Sequence, residues 1–171
     1  MILSLSGCWS RIEPKYLGVV NSIIYDVDDE GKYIIHLEFL NAADAGNGQE
    51  GKSKGSNFTV EAMGDSPREA IANVSQSVDR SIFGGHNKVR FFSERLARGD
   101  VTSTLDYILR AKLTDETALI GVIKGDEPEK IYKATLNLSD TVGSYIKNIS
   151  RFLPDSTSKS AFPTTLDFVK D

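Results

Sequence analysis

The sequence contains a single cysteine, Cys8, so it cannot form an internal disulfide bond. With only two histidines besides it, His36 and His86, the chain lacks the usual ligand set of a zinc site. No apolar run approaches the roughly 20 residues that a membrane-spanning helix needs. The sequence also lacks an excess of basic residues, since 24 acidic residues outnumber 20 basic ones. This balance argues against a nucleic-acid partner, whose footprint would be a basic face.

The composition is otherwise that of an ordinary folded domain. Of the 171 residues, 40% are hydrophobic and 26% are charged, so the chain can bury a core. It has no H-E-x-x-H, G-x-S-x-G, phosphate-binding loop or C-x-x-C motif. Gly46, Gly48 and Gly51 imitate a dinucleotide-binding turn, but the polar residues after them do not start a helix. We therefore expect neither a cofactor nor a metal site.

The N-terminus carries a short motif that is typical of bacterial lipoproteins. Residues 1–7 are apolar or small and resemble the end of a signal peptide. Leu5-Ser6-Gly7-Cys8 matches a lipobox, in which the thiol accepts a diacylglyceryl group before the peptide is cleaved. The alternative is a stray cysteine in a frayed terminus. Residues 8–15 are predicted to form an extended tether.

A β-hairpin is predicted after this tether. Residues 16–26 and 33–40 have the apolar alternation of strands, and Asp28-Asp29-Glu30-Gly31 supplies a turn glycine for a positive φ. Apolar residues on both faces of the first strand indicate that it is covered on both sides. Its faces are predicted to be Leu17, Val19, Ile23 and Tyr25 on one side and Val20 and Ile24 on the other. Further strands are predicted at residues 58–63, 88–92 and 117–124.

Capping residues predict the helices. Ser66, Pro67 and Glu69 form a capping box with proline at the first helical position. Ser93 is a good N-cap for a short helix that Gly99 ends. Further along, Leu105, Ile108 and Leu109 mark an apolar helix face, Ser139 caps a helix ending near Phe152, and Leu166, Phe168 and Val169 lie on a last amphipathic turn. The predicted fold is α+β, with a mixed or antiparallel sheet that starts with a β-hairpin and is packed with several capped helices.

The central stretch Gly84-Gly85-His86 is the candidate site for a specific interaction. Paired glycines take backbone angles that are closed to other residues, and Gly85→Val is expected to destabilise by about 1–3 kcal/mol if Gly85 has a positive φ. His86 is a candidate base, with Ser93 and Asp100 near it in sequence. Because no oriented partner can be named, a histidine that hydrogen-bonds the turn is favoured, and no catalytic residue is assigned.

Four segments together resemble the Ger(x)C family. They are Leu-Ser-Gly-Cys-Trp-Ser-Arg-Ile-Glu at 5–13, residues 26–33, Phe83-Gly84-Gly85-His86, and Ser93-Glu94-Arg95-Leu96-Ala97-Arg98-Gly99. Their order and spacing match the family across residues 5–131, and the combination is more specific than any one motif. Members of this family are the C subunits of spore germinant receptors.

This resemblance implies a non-enzymatic lipoprotein, anchored through Cys8 to the outer face of the spore inner membrane. It would dock with two integral membrane subunits, A and B, in nutrient-triggered germination. Family members are about twice this length, so residues 16–154 are interpreted as the N-terminal α+β domain. Residues 155–171 are interpreted as a linker and last helix that lead to an absent C-terminal portion.

Two other functions remain open at this point. A substrate-binding lipoprotein of a transporter would share the lipobox, although such proteins usually have two α/β lobes and more residues. An extracytoplasmic enzyme would have to be centred on His86, and it would need a Ser or Asp partner beside that imidazole.

Overall fold

The computed structural model describes Glu13 and residues 16–40, 58–111, 115–134, 139–152 and 162–170. Cys8, its predicted lipobox and the glycine-rich residues 41–57 lie outside the described residues. None of the described helices is long and apolar enough to cross a membrane.

Six strands form one mixed sheet, which confirms the predicted α+β fold, although only five of the strands were predicted. The order is β3-β2-β1-β5-β6, and β4 also pairs with β1. The β1–β2 and β2–β3 pairs are antiparallel, whereas β1–β4, β1–β5 and β5–β6 are parallel. The strands are β1 (Leu17–Val27), β2 (Tyr33–Leu40), β3 (Phe58–Gly64), β4 (Ser81–Phe83), β5 (Val89–Ser93) and β6 (Leu119–Ile123). The helices are α1 (Pro67–Ser77), α2 (Glu94–Arg98), α3 (Thr102–Arg110), α4 (Val142–Phe152) and α5 (Thr165–Lys170), with a 3₁₀ helix at Pro128–Lys133.

The predicted hairpin is confirmed. Gly31 has a φ of 83°, which few other residues adopt. The Asp28 carboxylate accepts hydrogen bonds from the amides of Glu30 and Lys32, at 3.0 and 2.8 Å. This side-chain bonding holds the turn closed.

A bulge in β1 makes the predicted face of Val20 wrong, whereas Ile23 and Tyr25 lie opposite Ile24 as predicted. The β1–β2 register shifts between Val20 and Ser22. The extra residue turns Val20 to the same side as Ile23 and Tyr25, and these three belong to one core cluster. Ile24 packs in a second cluster on the opposite face. The prediction that β1 is covered on both sides is confirmed.

Helices cover both faces of the sheet. The larger cluster joins the sheet to α1, α2 and α3 through Ala70, Val74, Leu96 and Ile108. The smaller cluster joins the other face to α4 and the 3₁₀ helix through Val142, which is buried, and partly buried neighbours. β1 thus lies between two cores, which explains its almost continuous burial.

Most predicted caps are confirmed. The Ser66 hydroxyl accepts from the Glu69 amide at 3.2 Å, and the Ser93 hydroxyl accepts from the Leu96 amide at 3.1 Å. Gly99 is the C-cap of α2. The cap predicted at Ser139 is wrong, because α4 starts at Val142 and the Thr141 hydroxyl accepts from the Ser144 amide at 3.1 Å.

Two predicted apolar faces are only partly buried. Leu109 of α3 is 55% exposed, because α3 packs through Ile108 and Leu105 and turns Leu109 outwards. Strand β6 is shorter than the predicted 117–124, and its Val122 is also 55% exposed.

Residues 163–165 extend the sheet beyond β6. Thr164 forms a bridge with Leu119, and the Ile120 amide donates to the Pro163 carbonyl at 2.8 Å. The Thr165 amide donates to the Ala118 carbonyl, also at 2.8 Å. We call residues 163–165 the edge segment.

Candidate functional site

The Gly84-Gly85-His86 turn lies between two strands that run along the same side of β1. β4 pairs with Leu17–Val19 and β5 pairs with Ser22–Tyr25. The turn closes with a hydrogen bond from the Asn87 amide to the Gly84 carbonyl at 3.1 Å. The Lys88 amide then donates to the Asn21 carbonyl at 2.8 Å, opposite the β1 bulge. The turn therefore connects the β4 pairing to the β5 pairing across the β1 bulge that separates them.

His86 is exposed at the tip of this turn. Its ring stands edge-on to Phe83, with ring centroids 5.5 Å apart. Within the described ranges, no hydrogen bond or ion pair joins the imidazole to Ser93, Asp100 or another side chain. Ser93 is instead occupied as the α2 N-cap, and the Asp100 carboxylate accepts from the Thr102 amide at 2.8 Å. The structure does not bring the three predicted residues together as a catalytic set.

Gly85 is constrained by its neighbour and not by its φ. Gly31 and Gly125 are the glycines with positive φ among the described residues, so the condition attached to Gly85→Val, a positive φ at Gly85, is not met. A Cβ built on Gly85 would lie 2.9 Å from Cζ of Phe83, the far end of a side chain. The glycine is therefore required for close packing of that ring.

We expect Gly85→Ala to lower the free energy of unfolding by about 1 kcal/mol or less, because the Phe83 ring can move a few tenths of an ångström. Urea unfolding of the variant measures this change. Gly85→Ala combined with Phe83→Leu should lose the clash. A loss well above 2 kcal/mol that persists in the double variant would contradict the steric explanation.

The family-like segment Ser93–Gly99 is used for structure. The Arg95 guanidinium donates at 2.7 Å to Asp26, whose side chain is 2% exposed. Glu94 pairs with Arg98 at 2.7 Å and accepts from the Gly125 amide at 3.2 Å. These hydrogen bonds lower the pKa of Glu94, with Arg98 the main cause. The segment thus fixes α2 against the end of β1 and the loop after β6.

A buried carboxyl group that sequence reasoning did not single out lies on the opposite face of the sheet. Glu38 of β2 is 2% exposed. Its oxygens accept from the Ser22 hydroxyl at 2.6 Å and from the amides of Val142 and Gly143 at 2.8 and 3.2 Å. The Tyr132 hydroxyl lies 3.2 Å from that of Ser22, and burial raises the pKa of Tyr132. Glu38 therefore caps α4 from a strand about one hundred residues away.

The signal for this contact was present but ambiguous. Strand alternation correctly places Glu38 and His36 on the face opposite Ile35, Leu37 and Phe39. A charged residue on a strand face is more often solvated, and nothing local indicates that a helix N-terminus lies above it. Only the long-range packing of α4 identifies its partner.

His36 is another buried ionisable group on this face. Its Nδ1 lies 3.3 Å from Oε2 of Glu61 on β3. Burial lowers the pKa of His36, and the nearby carboxylates of Glu61, Glu129 and Asp26 partly offset that effect. The folded protein therefore favours the neutral imidazole more than the unfolded chain does.

This shift predicts that acidification weakens the fold. As the pH falls below about 6.5, the unfolded chain takes up a proton at His36 before the folded protein does. The free energy of unfolding should therefore decrease from pH 7 to pH 5.5. His36→Gln should make this decrease smaller, and His86→Gln at the exposed turn is the matched control. Urea titrations across this pH range provide the measurement, and a slope that is unchanged in His36→Gln would contradict the assignment.

Residues 10–171 are similar to a known protein family. This range matches the family model described as the spore germination protein N-terminal domain. Spore germination protein KC of Bacillus subtilis (strain 168) is 26% identical over 111 residues, which cover 63% of this chain and 26% of that protein. The putative spore germination protein YfkR of the same strain is 29% identical over 125 residues, which cover 71% of this chain and 33% of that protein.

The matched part thus spans about a quarter to a third of the length of these curated relatives. No solved structure matches the chain. The family match includes the Gly84-Gly85-His86 turn, the Ser93–Gly99 segment and the buried Glu38. Because it extends over nearly the whole chain, the chain belongs to the spore germination protein N-terminal domain family.

Proposed function

We propose that the chain forms the N-terminal domain of a lipoprotein C subunit of a spore germinant receptor. In this proposal Cys8 carries the lipid, residues 8–15 are the tether and residues 16–154 are the docking domain. Residues 155–171 lead to the remainder of a longer protein. The domain docks with membrane subunits A and B on the outer face of the spore inner membrane. The observation that carries the proposal is the family match over residues 10–171.

The geometry supports a docking role over catalysis at His86. In the described part of the chain, the imidazole has no oriented acid or base beside it, and Ser93 and Asp100 are occupied in helix starts. The buried Glu38 and Asp26 are engaged in holding helices to the sheet. These contacts favour a rigid scaffold whose surface binds a partner protein.

Membrane fractionation of the full-length precursor tests the anchor. Cys8→Ala should move the protein from the membrane to the soluble fraction, because the acyl chains supply the stable membrane affinity. Retention of Cys8→Ala after a high-salt wash would contradict lipid anchoring.

Co-purification with the A and B subunits from spore membranes tests docking, and wild-type protein that fails to co-purify would contradict it.

Germination assays of His86→Ala separate the scaffold from a catalytic site. The variant should germinate spores as well as the wild type when its folded amount is the same, because His86 is exposed and lacks an acid–base partner among the described residues. A fully folded, abundant variant that is inactive would move the function to His86.

A further inference from the structure

A cavity lies at the larger core cluster, beside the residues that flank the Gly84-Gly85-His86 turn. It has a volume of about 320 Å³ and lies between the sheet and helices α1 and α3. Apolar side chains of Val20, Ile23 and Leu37 form much of its wall. Arg90 of β5 and Asn87 also line it, although they are 0% and 1% exposed. This volume falls within the range of small-molecule sites.

Arg90 has one half of its guanidinium engaged and the other half free. Its Nη1 donates to the Asp115 carbonyl and to the Thr165 hydroxyl. Its Nε and Nη2 are buried and have no hydrogen-bond partner among the described residues. These two nitrogens form the side edge of a guanidinium, which is the edge that binds a carboxylate through two parallel hydrogen bonds.

The charge of Arg90 is also unmatched. Among the described residues, no carboxylate is close enough to form an ion pair with it. Burial lowers the pKa of Arg90, and nearby Tyr25 and Asp115 only partly offset this. An arginine side chain still stays protonated in a protein. A buried cation without a counter-ion is costly, so the cavity favours an anion.

Asn87 adds a second unsatisfied group to the same cavity. Both Oδ1 and Nδ2 of its side chain are buried without a partner in the part of the chain that the structure describes. The turn hydrogen bond of its backbone and the adjacent Lys88–Asn21 bond hold this residue in place. The Asn87 amide can therefore donate to a ligand oxygen while the Arg90 edge binds the same group.

We propose that this cavity is a binding site for a small organic carboxylate with an apolar body, whose carboxylate meets the free edge of Arg90 and the amide of Asn87. The apolar body lies against the wall formed by Val20, Ile23 and Leu37. None of the described residues that line the cavity is acidic, so an ammonium group on the ligand would have no counter-charge from them. The site therefore prefers a monocarboxylate to an α-amino acid. This inference does not depend on the proposed receptor role.

A groove between α1 and α3 adjoins the cavity. It has a volume of about 780 Å³ and shares Ile71 and Tyr107 with the cavity wall. Arg68 lines the groove, and its charge reduces the rise in pKa that burial causes at Tyr107. A cationic side chain in this groove is suited to attract an anion.

Phenylacetate is a suitable probe, with phenylacetamide as the uncharged control of the same shape and phenylalanine as the zwitterionic control. Two-dimensional NMR of the chain should show saturable shifts for Val20, Ile23 and Ile71 with phenylacetate. The two controls should bind at least about tenfold more weakly, because they lose a charge-assisted pair or leave an ammonium unpaired. The absence of saturable shifts, or equal binding of phenylacetamide, would overturn the proposal.

Variants at Ser75 test the site without disturbing the core. Ser75 is exposed on α1 and lines the cavity. Ser75→Glu should weaken phenylacetate binding about fivefold relative to Ser75→Gln, which has the same shape without the charge. The reason is that the Glu carboxylate at the rim repels the carboxylate of the ligand. Equal affinities in two folded proteins would count against the site.

Arg90→Lys, which keeps the charge and removes the two-nitrogen edge, should weaken binding by roughly tenfold or more. An Arg90→Lys protein that is folded and binds normally would overturn the role of Arg90.

Discussion

Glu38→Ala is expected to lower the free energy of unfolding by about 3 kcal/mol or more. The substitution leaves the amides of Val142 and Gly143 without their acceptor inside a buried region, whereas the Ser22 hydroxyl can still donate to that of Tyr132. Each buried donor that loses its partner costs about 1–3 kcal/mol. Alanine relieves the cost of burying a carboxyl group, but it satisfies none of these donors.

Two measurements make this expectation specific. Glu38→Gln keeps one carbonyl oxygen as an acceptor, so it should lose about half as much stability in urea unfolding. Hydrogen exchange should speed up first at the amides of Val142 and Gly143, where α4 loses its cap. A uniform increase across the sheet, with α4 no more affected than β2, would contradict the capping role.

Gly143→Ala is expected to destabilise by about 2–4 kcal/mol. In an unobstructed helix, the same substitution would stabilise by up to about 1 kcal/mol, because alanine has the higher helix propensity. Here a Cβ would overlap Oδ1 of Asn21 and lie 2.7 Å from the Asn21 backbone oxygen. The clash also pushes α4 away from Glu38, whose hydrogen bond to the Gly143 amide would lengthen.

A double-mutant cycle with Asn21→Ala separates the two parts of this clash. Asn21→Ala removes the overlap with the side chain but keeps the backbone oxygen, so the double variant should recover only part of the loss. Thermal and urea unfolding of the four proteins gives the coupling energy. A Gly143→Ala protein as stable as the wild type would show that α4 does not approach β1 this closely.

The local features of this fold were predictable because their causes are local. Alternation placed β2 to the residue, and capping chemistry placed the starts of α1 and α2 at Ser66 and Ser93. The three-residue β4 was missed because a strand of that length has no periodicity to detect. The bulge was missed because nothing in residues 20–22 distinguishes an extra residue from regular alternation.

The buried polar contacts were not predictable because their partners are distant in sequence. Glu38 and Val142 are 104 residues apart, and Arg90 and Thr165 are 75 apart. No propensity or spacing rule connects such positions, whereas Asp28 bonds within its own turn. The Arg90 cavity illustrates the same limit, since charged side chains are rarely fully buried and the partners of Arg90, Asp115 and Thr165, are distant in sequence.

The edge segment limits strand pairing between molecules of this protein at the border of β6. Pro163 and Thr165 occupy the Ile120 amide and the Ala118 carbonyl, which closes the first part of the outer border of β6 to a strand from another molecule. Pro163 has no N–H, so it passes no ladder donor outwards. A chain shortened to end before Pro163 would uncover the side of β6. Aggregation by strand-to-strand addition would then compete with folding at high protein concentration.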